Sequence, residues 1–558
     1  MFLKGKEDNV VSGGCGKEFT PDMNRFFRHN PAVTPMAQTQ TILASRGSGI
    51  LLPVFSLPSA FGIGNVGPGA HDFLDFLHRG RQHYWQILPL GPTSQVFGHS
   101  PYMSFSSLAG NPLFISPELL IKDGLLDKMV PGQDPLSEYL VDYATVSTTM
   151  KKVLATAWQR FQQKKDCQDI LTTFSRQQPW VEEHSLFLAL KSTFRQSAWQ
   201  CWPEEIRTRD TAALTQARTE LTDEIRGETF HQYLFYTQWQ ALREHARQRE
   251  IALIGDLPIY VALDSVDVWA NQEIFDLEPA TGLPRHVAGV PPDYFSKTGQ
   301  LWGNPLYRWQ STDPAVKEQL YNWWEQRFRT LFSQVDLVRI DHFRGFADYW
   351  SVPADEKTAV NGTWLPGPGA SFFQEMKKRL GALPCIAEDL GTITPAVDIL
   401  RRELDFPGMR VLLFGFDGDA ANVHLPQNYD RATVVYTGTH DNDTAVGWYL
   451  SPETPPEARK RAKQYANRDN DDGASFHRDM LYLALSSVAD TAILPMQDVL
   501  GFGNDCRINV PGTTKNNWRW RCAQRFITDE LADWLAGQTG LFNRVRQKRP
   551  GNKQEERE

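Results

Sequence analysis

The chain has 558 residues, of which 41% are hydrophobic and 22% charged, the proportions of an ordinary globular protein long enough to bury a large core. A net charge of −8 and a pI near 6.0 exclude a sequence-independent grip on nucleic-acid phosphates. No apolar run approaches the ~18 residues that a membrane span requires.

The six cysteines (Cys15, Cys167, Cys201, Cys385, Cys506 and Cys522) form no C-x-x-C pair and show no metal-ligand spacing with histidine. That scatter is the pattern of reduced thiols, and it predicts a cytoplasmic protein. Residues 1–46 have neither a hydrophobic period nor a continuous apolar h-region, so a poorly ordered extension is expected there, not a secretory signal. One unit then recurs along residues 47–540: a short apolar run ending in polar, Gly or Pro residues, followed by a helical stretch. The runs lie at 49–57, 84–91, 251–261, 335–343, 384–390, 409–416, 433–441 and 492–500. They are almost continuously apolar, which suits parallel strands covered on both faces. Between them, 70–79 carries Phe73, Phe76 and Leu77, and 315–334 carries Leu320, Trp324, Phe328 and Leu331, both at amphipathic-helix spacing. Eight such units predict an α/β fold, a (β/α)8 TIM barrel with its site at the C-terminal ends of the strands.

Two connections are too long for a simple barrel. The segment from Pro92 to Glu250 holds a large, mostly α-helical insertion between strands 2 and 3 (113–227). It leads into a helix with Phe235, Trp239, Leu242 and Ala246 on one face. Residues 264–310, containing GVPPDYFSKTGQLWGNPLYRW, are rich in Pro, Gly and aromatics and predict an ordered rim loop over the strand ends. Residues 541–558 read as a charged C-terminal tail.

The strand ends carry the functional signal. In VDLVRIDHFRGF (335–346), a core strand takes in Arg339 and ends in Asp341, His342 and Arg344. A charge there costs several kcal/mol unless paired, so the stretch is either a buried salt bridge or the delivery of a carboxylate to a site. Strand 3 ends near Asp256, strand 5 in Glu388 and Asp389, strand 7 in His440 and Asp441, and strand 8 in Gln497 and Asp498. One such carboxylate is readily a helix cap or a rim ion pair. Several in one barrel mouth repel, and a site is the better explanation.

Two chemistries use carboxylates this way. One binds a divalent cation and needs a Lys or His base; none of the eight strands carries a Lys. The other breaks a glycosidic bond with a nucleophile and an acid. It needs a cation to hold the nucleophile ionised, which Arg339 offers from two residues away on the same strand face, and aromatic faces for sugar rings. Tyr102, Tyr260, Tyr294, Trp302 and Trp350 stand near the strand ends, though any one of them is more often core packing.

The segments VRIDHFRGF, AEDLG (387–391) and THDN (439–442) resemble the catalytic segments of the α-amylase superfamily. LPLGPT (88–93), SPYMSFSSLAGNP (100–112), GDLPIYVALDSVDVW (255–269) and VAGVPPDYFSKTGQLWGNPLY (287–307) are similar to the amylomaltase, or 4-α-glucanotransferase, family. The resemblance covers about residues 48–540. It implies a retaining transferase that moves α-1,4-glucan segments from a maltodextrin donor to the 4-hydroxyl of a glucose or maltodextrin acceptor, without cofactor or catalytic metal. It also implies Asp341 as nucleophile, Glu388 as general acid/base and Asp441 as the third carboxylate. Arg339 and His440 match partners of the donor sugar or the nucleophile, and Tyr102 the tyrosine that stacks beneath that sugar. Asp256, Gln300, Trp302 and Asn509 resemble substrate-contacting positions. The alternatives are an α-1,4-glucan hydrolase, which shares the first half-reaction, and a catalytically silent maltodextrin-binding protein.

Overall fold

Residues 46–127, 136–292, 296–468 and 472–545 are described by the computed structural model. Its strands are β1 (Gly47–Leu51), β2 (Tyr84–Gln86), β3 (Ala252–Pro258), β4 (His286–Val290), β5 (Gln300–Pro305) and β6 (Leu337–Asp341), followed by β7 (Asp348–Pro353), β8 (Thr363–Pro366), β9 (Cys385–Ala387), β10 (Gly408–Val411), β11 (Thr433–Tyr436) and β12 (Thr491–Pro495). Eight of them close a parallel barrel in the order β1-β12-β11-β10-β9-β6-β3-β2. Each of these eight falls within or overlaps one of the apolar runs in the sequence. The (β/α)8 expectation therefore holds, and the reason is visible: side chains such as Ile50, Trp85, Ile254, Val338, Ile386, Met409, Val435 and Ile493 are all fully buried or nearly so. Among the described residues, no helix is long and apolar enough to cross a membrane.

The strands end earlier than the apolar runs do. Leu412–Phe414 turns into a 3-10 helix after β10, and Met496–Leu500 forms an α-helix directly after β12. Apolarity continues because these turns are buried too; burial marks the run, and hydrogen-bond pairing marks the strand.

The helices at Pro68–Arg79 and Pro314–Gln334 bury the faces expected of them, with Phe73 and Leu77 in one and Leu320, Trp324 and Phe328 in the other. The long insertion contains helices Tyr143–Phe161, Cys167–Gln177, Trp180–Thr193 and Thr211–Glu220. They pack on Thr222–Gln248 through rings such as Phe161 and Phe230, 4.6 Å apart. Thr222–Gln248 buries Phe235, Trp239, Leu242 and Ala246 and is tied to the barrel by the Trp239 indole, which donates to the Gln334 carbonyl at 2.9 Å.

Residues 264–310 depart from the expected loop. They hold a short helix, Val266–Ala270, and the strands β4 and β5, which join β7 and β8 in a four-stranded antiparallel sheet ordered β5-β4-β7-β8. Half of this sheet comes from residues that follow the Asp341 strand. Strand β4 pairs with β5 (Val290 with Gln300) across a connection too long for a two-residue hairpin turn, and with β7 some sixty residues on (Gly289 with Trp350), so neither pairing leaves a tight-turn signal in the sequence.

The chain ends of the folded unit also lie elsewhere than expected. Arg46 donates to the carbonyls of Phe542, Leu485 and Ala489, and the fully buried Arg544 donates to those of Leu485, Gly47 and Ala489. Phe542 and Arg544 thus tie this stretch to the start of β1, so the tail expected from 541 does not begin there. The expectations for 1–45 and 546–558 lie outside the described residues.

Candidate functional site

Three carboxylates face one cleft at the C-terminal ends of the barrel strands. Asp341 is the last residue of β6, Glu388 follows β9, and Asp441 lies five residues beyond β11. Their surroundings differ sharply.

Asp341 is paired with a guanidinium: Arg339 Nη2 lies 2.9 Å from its carboxylate. Arg339 and Asp341 alternate along β6, so both side chains project from the same strand face. Arg339 is itself buried and held from below, where its Nη1 donates to both oxygens of Asp256 at 2.8 Å. Tyr102 closes the ring. Its hydroxyl donates to Asp256 at 2.7 Å and sits 2.8 Å from His440 Nε2. With the hydroxyl proton directed at Asp256, the Tyr102 oxygen accepts from His440, which places the imidazole proton on Nε2. The Tyr102 and His440 rings stack at 5.2 Å, leaving the half-buried tyrosine as a platform edge at the cleft.

Asp256 is therefore placed differently from the substrate contact that the resemblance implies. Its side chain is wholly buried, and both oxygens are occupied by Arg339 and Tyr102. Burial raises its pKa while Arg339 opposes the rise. The geometry makes it the anchor of Arg339, acting on the cleft through that guanidinium.

Among the described residues, Glu388 has no direct ion-pair partner. Its two oxygens accept backbone N–H groups, from His342 and Leu390, each at 2.8 Å. Desolvation dominates and pushes its pKa up to about 7; Arg339 pulls it down, the neighbouring Asp341 pushes it up, and the two amides pull it down. His342 reaches its position in the left-handed region, φ 52° and ψ 50°, uncommon for a residue with a side chain. Its ring meets Trp302 edge-on at 4.8 Å, and burial lowers its pKa to about 4, so it stands neutral there.

Asp441 is the most open of the three, with its side chain 42% exposed. Asn509 donates to its carboxylate at 2.7 Å, and His440 Nε2 lies 3.4 Å from it. Asn509 thus stands beside Asp441 at the cleft. Trp302 and Gln300 sit on β5 at the rim, the Trp302 indole donating to the Gln300 side chain at 3.2 Å. Tyr260 is buried, and Trp350 is tied into the outer sheet by its indole bond to Ala359. Tyr294 lies outside the described residues.

The remaining strand-end acids are structural. Asp389 accepts from Met409 N at 2.6 Å and Arg410 at 3.1 Å, and a side chain at Gly408 would collide with it at 2.4 Å. Asp498 is buried and accepts from Thr437 and from Ala445 N at the start of a helix. For these two, the cap and ion-pair explanation holds. Among the described residues, no group of three or more His, Cys, Asp or Glu is placed to hold a metal ion.

A profile described as 4-alpha-glucanotransferase matches residues 52–527. A 4-alpha-glucanotransferase of Synechocystis is 46% identical over 510 residues, covering 90% of this chain and 98% of that protein. The chain belongs to the 4-alpha-glucanotransferase family. The homologue from Clostridium butyricum is 40% identical over 493 residues, covering 88% of this chain and 99% of its own. Among solved structures, an amylomaltase from Streptococcus agalactiae in complex with acarbose aligns with a TM-score of 0.84 at 39% identity. That alignment covers 89% of this chain and 99% of the other.

Some residues of this family member's site carry no signal that sequence reasoning picked up. Arg507 donates to the main-chain carbonyls of Asp441 at 2.6 Å and Asn509 at 2.7 Å and pairs with Asp443, locking the Asp441 segment. Trp518 packs near both Tyr102, at 5.8 Å, and His440, at 6.1 Å. Both lie in a connection after the last barrel strand, where no strand-end pattern marks them.

Proposed function

We propose that this chain catalyses disproportionation of maltodextrins, with Asp341 as nucleophile, Glu388 as general acid/base and Asp441 as the carboxylate that steadies the donor sugar. The observation that carries the reading is the contrast between two neighbouring carboxyl groups. Asp341 is held against the Arg339 guanidinium, while Glu388 is pushed up to about 7 by burial and by that same anion. A retaining glycosidic transfer needs one carboxylate ionised and one carboxylic acid protonated at the same pH.

In the first half-reaction, Asp341 attacks C1 of an α-1,4-linked glucosyl unit as Glu388 gives its proton to the departing 4-oxygen. The chain beyond the cleaved bond leaves with a free 4-hydroxyl. In the second, Glu388 takes the proton from an incoming 4-hydroxyl, which displaces Asp341 at C1; two inversions give net retention. Asp441, fixed by Asn509 and Arg507, is open enough to accept the hydroxyls of the bound sugar.

Transfer requires a bound acceptor to outcompete water at about 55 M, and positioning an acceptor hydroxyl supplies effective concentrations of that order and beyond. Trp302 and Gln300 on the rim sheet offer an apolar face and an amide, with the Trp302 ring against His342, whose backbone N–H donates to Glu388. The family to which the chain belongs favours transfer over hydrolysis or silent binding. The described cysteines are free, which fits the reducing cytoplasm read from their spacing.

Incubation with maltotriose distinguishes the readings. A ladder of longer and shorter maltodextrins with free glucose is expected. Glucose and maltose alone would make the protein a hydrolase, and unchanged maltotriose a binder.

A further inference from the structure

The two amides that hold Glu388 belong to different segments of chain. His342 N comes from the turn after β6, and Leu390 N from the loop after β9. Neither segment is regular at that point. His342 occupies the left-handed region, and Gly391, next to Leu390, has φ 80° with open space around it. Something must hold the two segments in register, because a displacement of a few tenths of an ångström at either amide changes the hydrogen bonds that favour the carboxylate form.

We propose that Arg344 is the positioning residue that clamps these two segments and thereby sets the proton affinity of Glu388. It lies two residues beyond His342, in the 3-10 turn Phe343–Phe346, with its side chain only 12% exposed. Its Nη1 donates to the Thr392 carbonyl at 2.6 Å, crossing from the β6 turn to the loop that carries Leu390. Its Nε donates to Asp348 at 2.7 Å, at the start of β7. Its guanidinium carbon lies 3.7 Å from the ring centroid of Trp364 on β8. Three contacts in three directions fix one rigid fork: the Glu388 loop, the base of the outer sheet and an aromatic face. A lysine has the charge but no planar fork, so it serves one of these partners at a time.

The consequence has a definite sign. The amides of His342 and Leu390 favour the ionised carboxylate, so loosening them raises the Glu388 pKa above its present value of about 7. Arg344 makes no contact with the Glu388 carboxylate, and its effect runs through the backbone it ties down.

The inference rests on the acid/base reading of Glu388 for its kinetic arm but not for its direct arm. The direct arm is a 13C titration of the glutamate carboxyls, with the Glu388 resonance identified by its loss in Glu388→Gln. Arg344→Met is expected to raise the Glu388 pKa by at least about half a unit. Arg344→Lys is expected to keep most of that shift, and Trp364→Leu to give a smaller shift of the same sign. In kinetics on maltotriose, kcat in Arg344→Met is expected to fall about tenfold with KM changed by less than about threefold. The alkaline limb of kcat/KM should move upward with the titration. Circular dichroism confirms that each variant is folded; if Arg344→Met is not, Arg344→Lys and Trp364→Leu decide. An unchanged Glu388 titration in folded variants overturns the proposal, as does full restoration by Arg344→Lys, which would reduce Arg344 to its charge. A shifted titration with an unmoved rate profile leaves the clamp standing and removes Glu388 from the acid/base role.

Discussion

The ends of β6 and β9 are adjacent in the barrel and each delivers a carboxyl group to the same cleft, yet they are built on opposite principles. At β6, charge meets charge. Asp341 lies against Arg339, which lies against Asp256, which accepts from Tyr102. At β9, the Glu388 carboxyl accepts from two neutral amides and loses water, and desolvation outweighs the pull of the more distant Arg339, raising its pKa to about 7. Residue type does not separate the two environments. The partner does: a guanidinium on one side, desolvation on the other.

The sharpest way to break this comparison is to remove the anion on the β6 side. Asp341→Asn is expected to lower kcat by about a thousandfold or more, with maltodextrin binding and melting temperature nearly unchanged, because a covalent nucleophile acts in the transition state. Steady-state kinetics and calorimetry with a maltodextrin check it. Near-normal turnover in material free of wild-type enzyme removes Asp341 from the role.

On the β9 side, Glu388→Gln is expected to cost about a hundredfold or more on maltotriose, whose leaving group needs a proton, and far less on an α-glucosyl fluoride, whose leaving group does not. Mass spectrometry is expected to detect a glucosyl adduct on Asp341 after the fluoride is added. Equal losses with both donors would mean that Glu388 is not the acid.

The β6 network should reveal itself in stability where the cleft residues do not. Arg339→Met strands Asp256 as a buried charge without its bidentate partner, and such a break costs about 3–5 kcal/mol. Urea unfolding measures it. A loss below about 1 kcal/mol, the range of an exposed pair, would show that the Asp256–Arg339 contact is not the anchor described above.

The smallest effect tests the sign of the Glu388 shift. The folded chain binds this proton more tightly than the unfolded chain, whose glutamate sits near 4.5, so folding is opposed increasingly as pH rises from 4.5 through about 7. Glu388→Gln removes that penalty. Its melting temperature relative to the wild type is expected to rise between about pH 5 and about pH 8; a flat difference contradicts the raised pKa.

Much of this was legible in advance, for a physical reason that shows where legibility stops. The eight barrel strands announced themselves because parallel strands covered on both faces must be continuously apolar, and Asp341, Glu388 and Asp441 stood out because charge at such an end is costly. Asp389 and Asp498 gave the same linear signal as these three, and only their partners, Arg410 and Met409 N for one and Thr437 and Ala445 N for the other, mark them as structural. Asp256 was placed at the correct strand end but is turned inward.

Strands β4 and β5 were read as loop because β7, the partner that joins them to the rest of the sheet, lies some sixty residues beyond β4, and the periodicity of a single segment carries no record of a distant partner. Arg507 and Trp518 escaped for the same reason, and Arg344, visible at the strand end, gave no sign of its partners Thr392 and Trp364. The sequence by itself determined the barrel, the strand ends and the kinds of groups available there, since burial and periodicity are local properties of the chain. The tertiary structure decided which carboxyl meets a guanidinium and which is desolvated against backbone amides, because that depends on which group lies within about 3 Å, a distance that only folding sets.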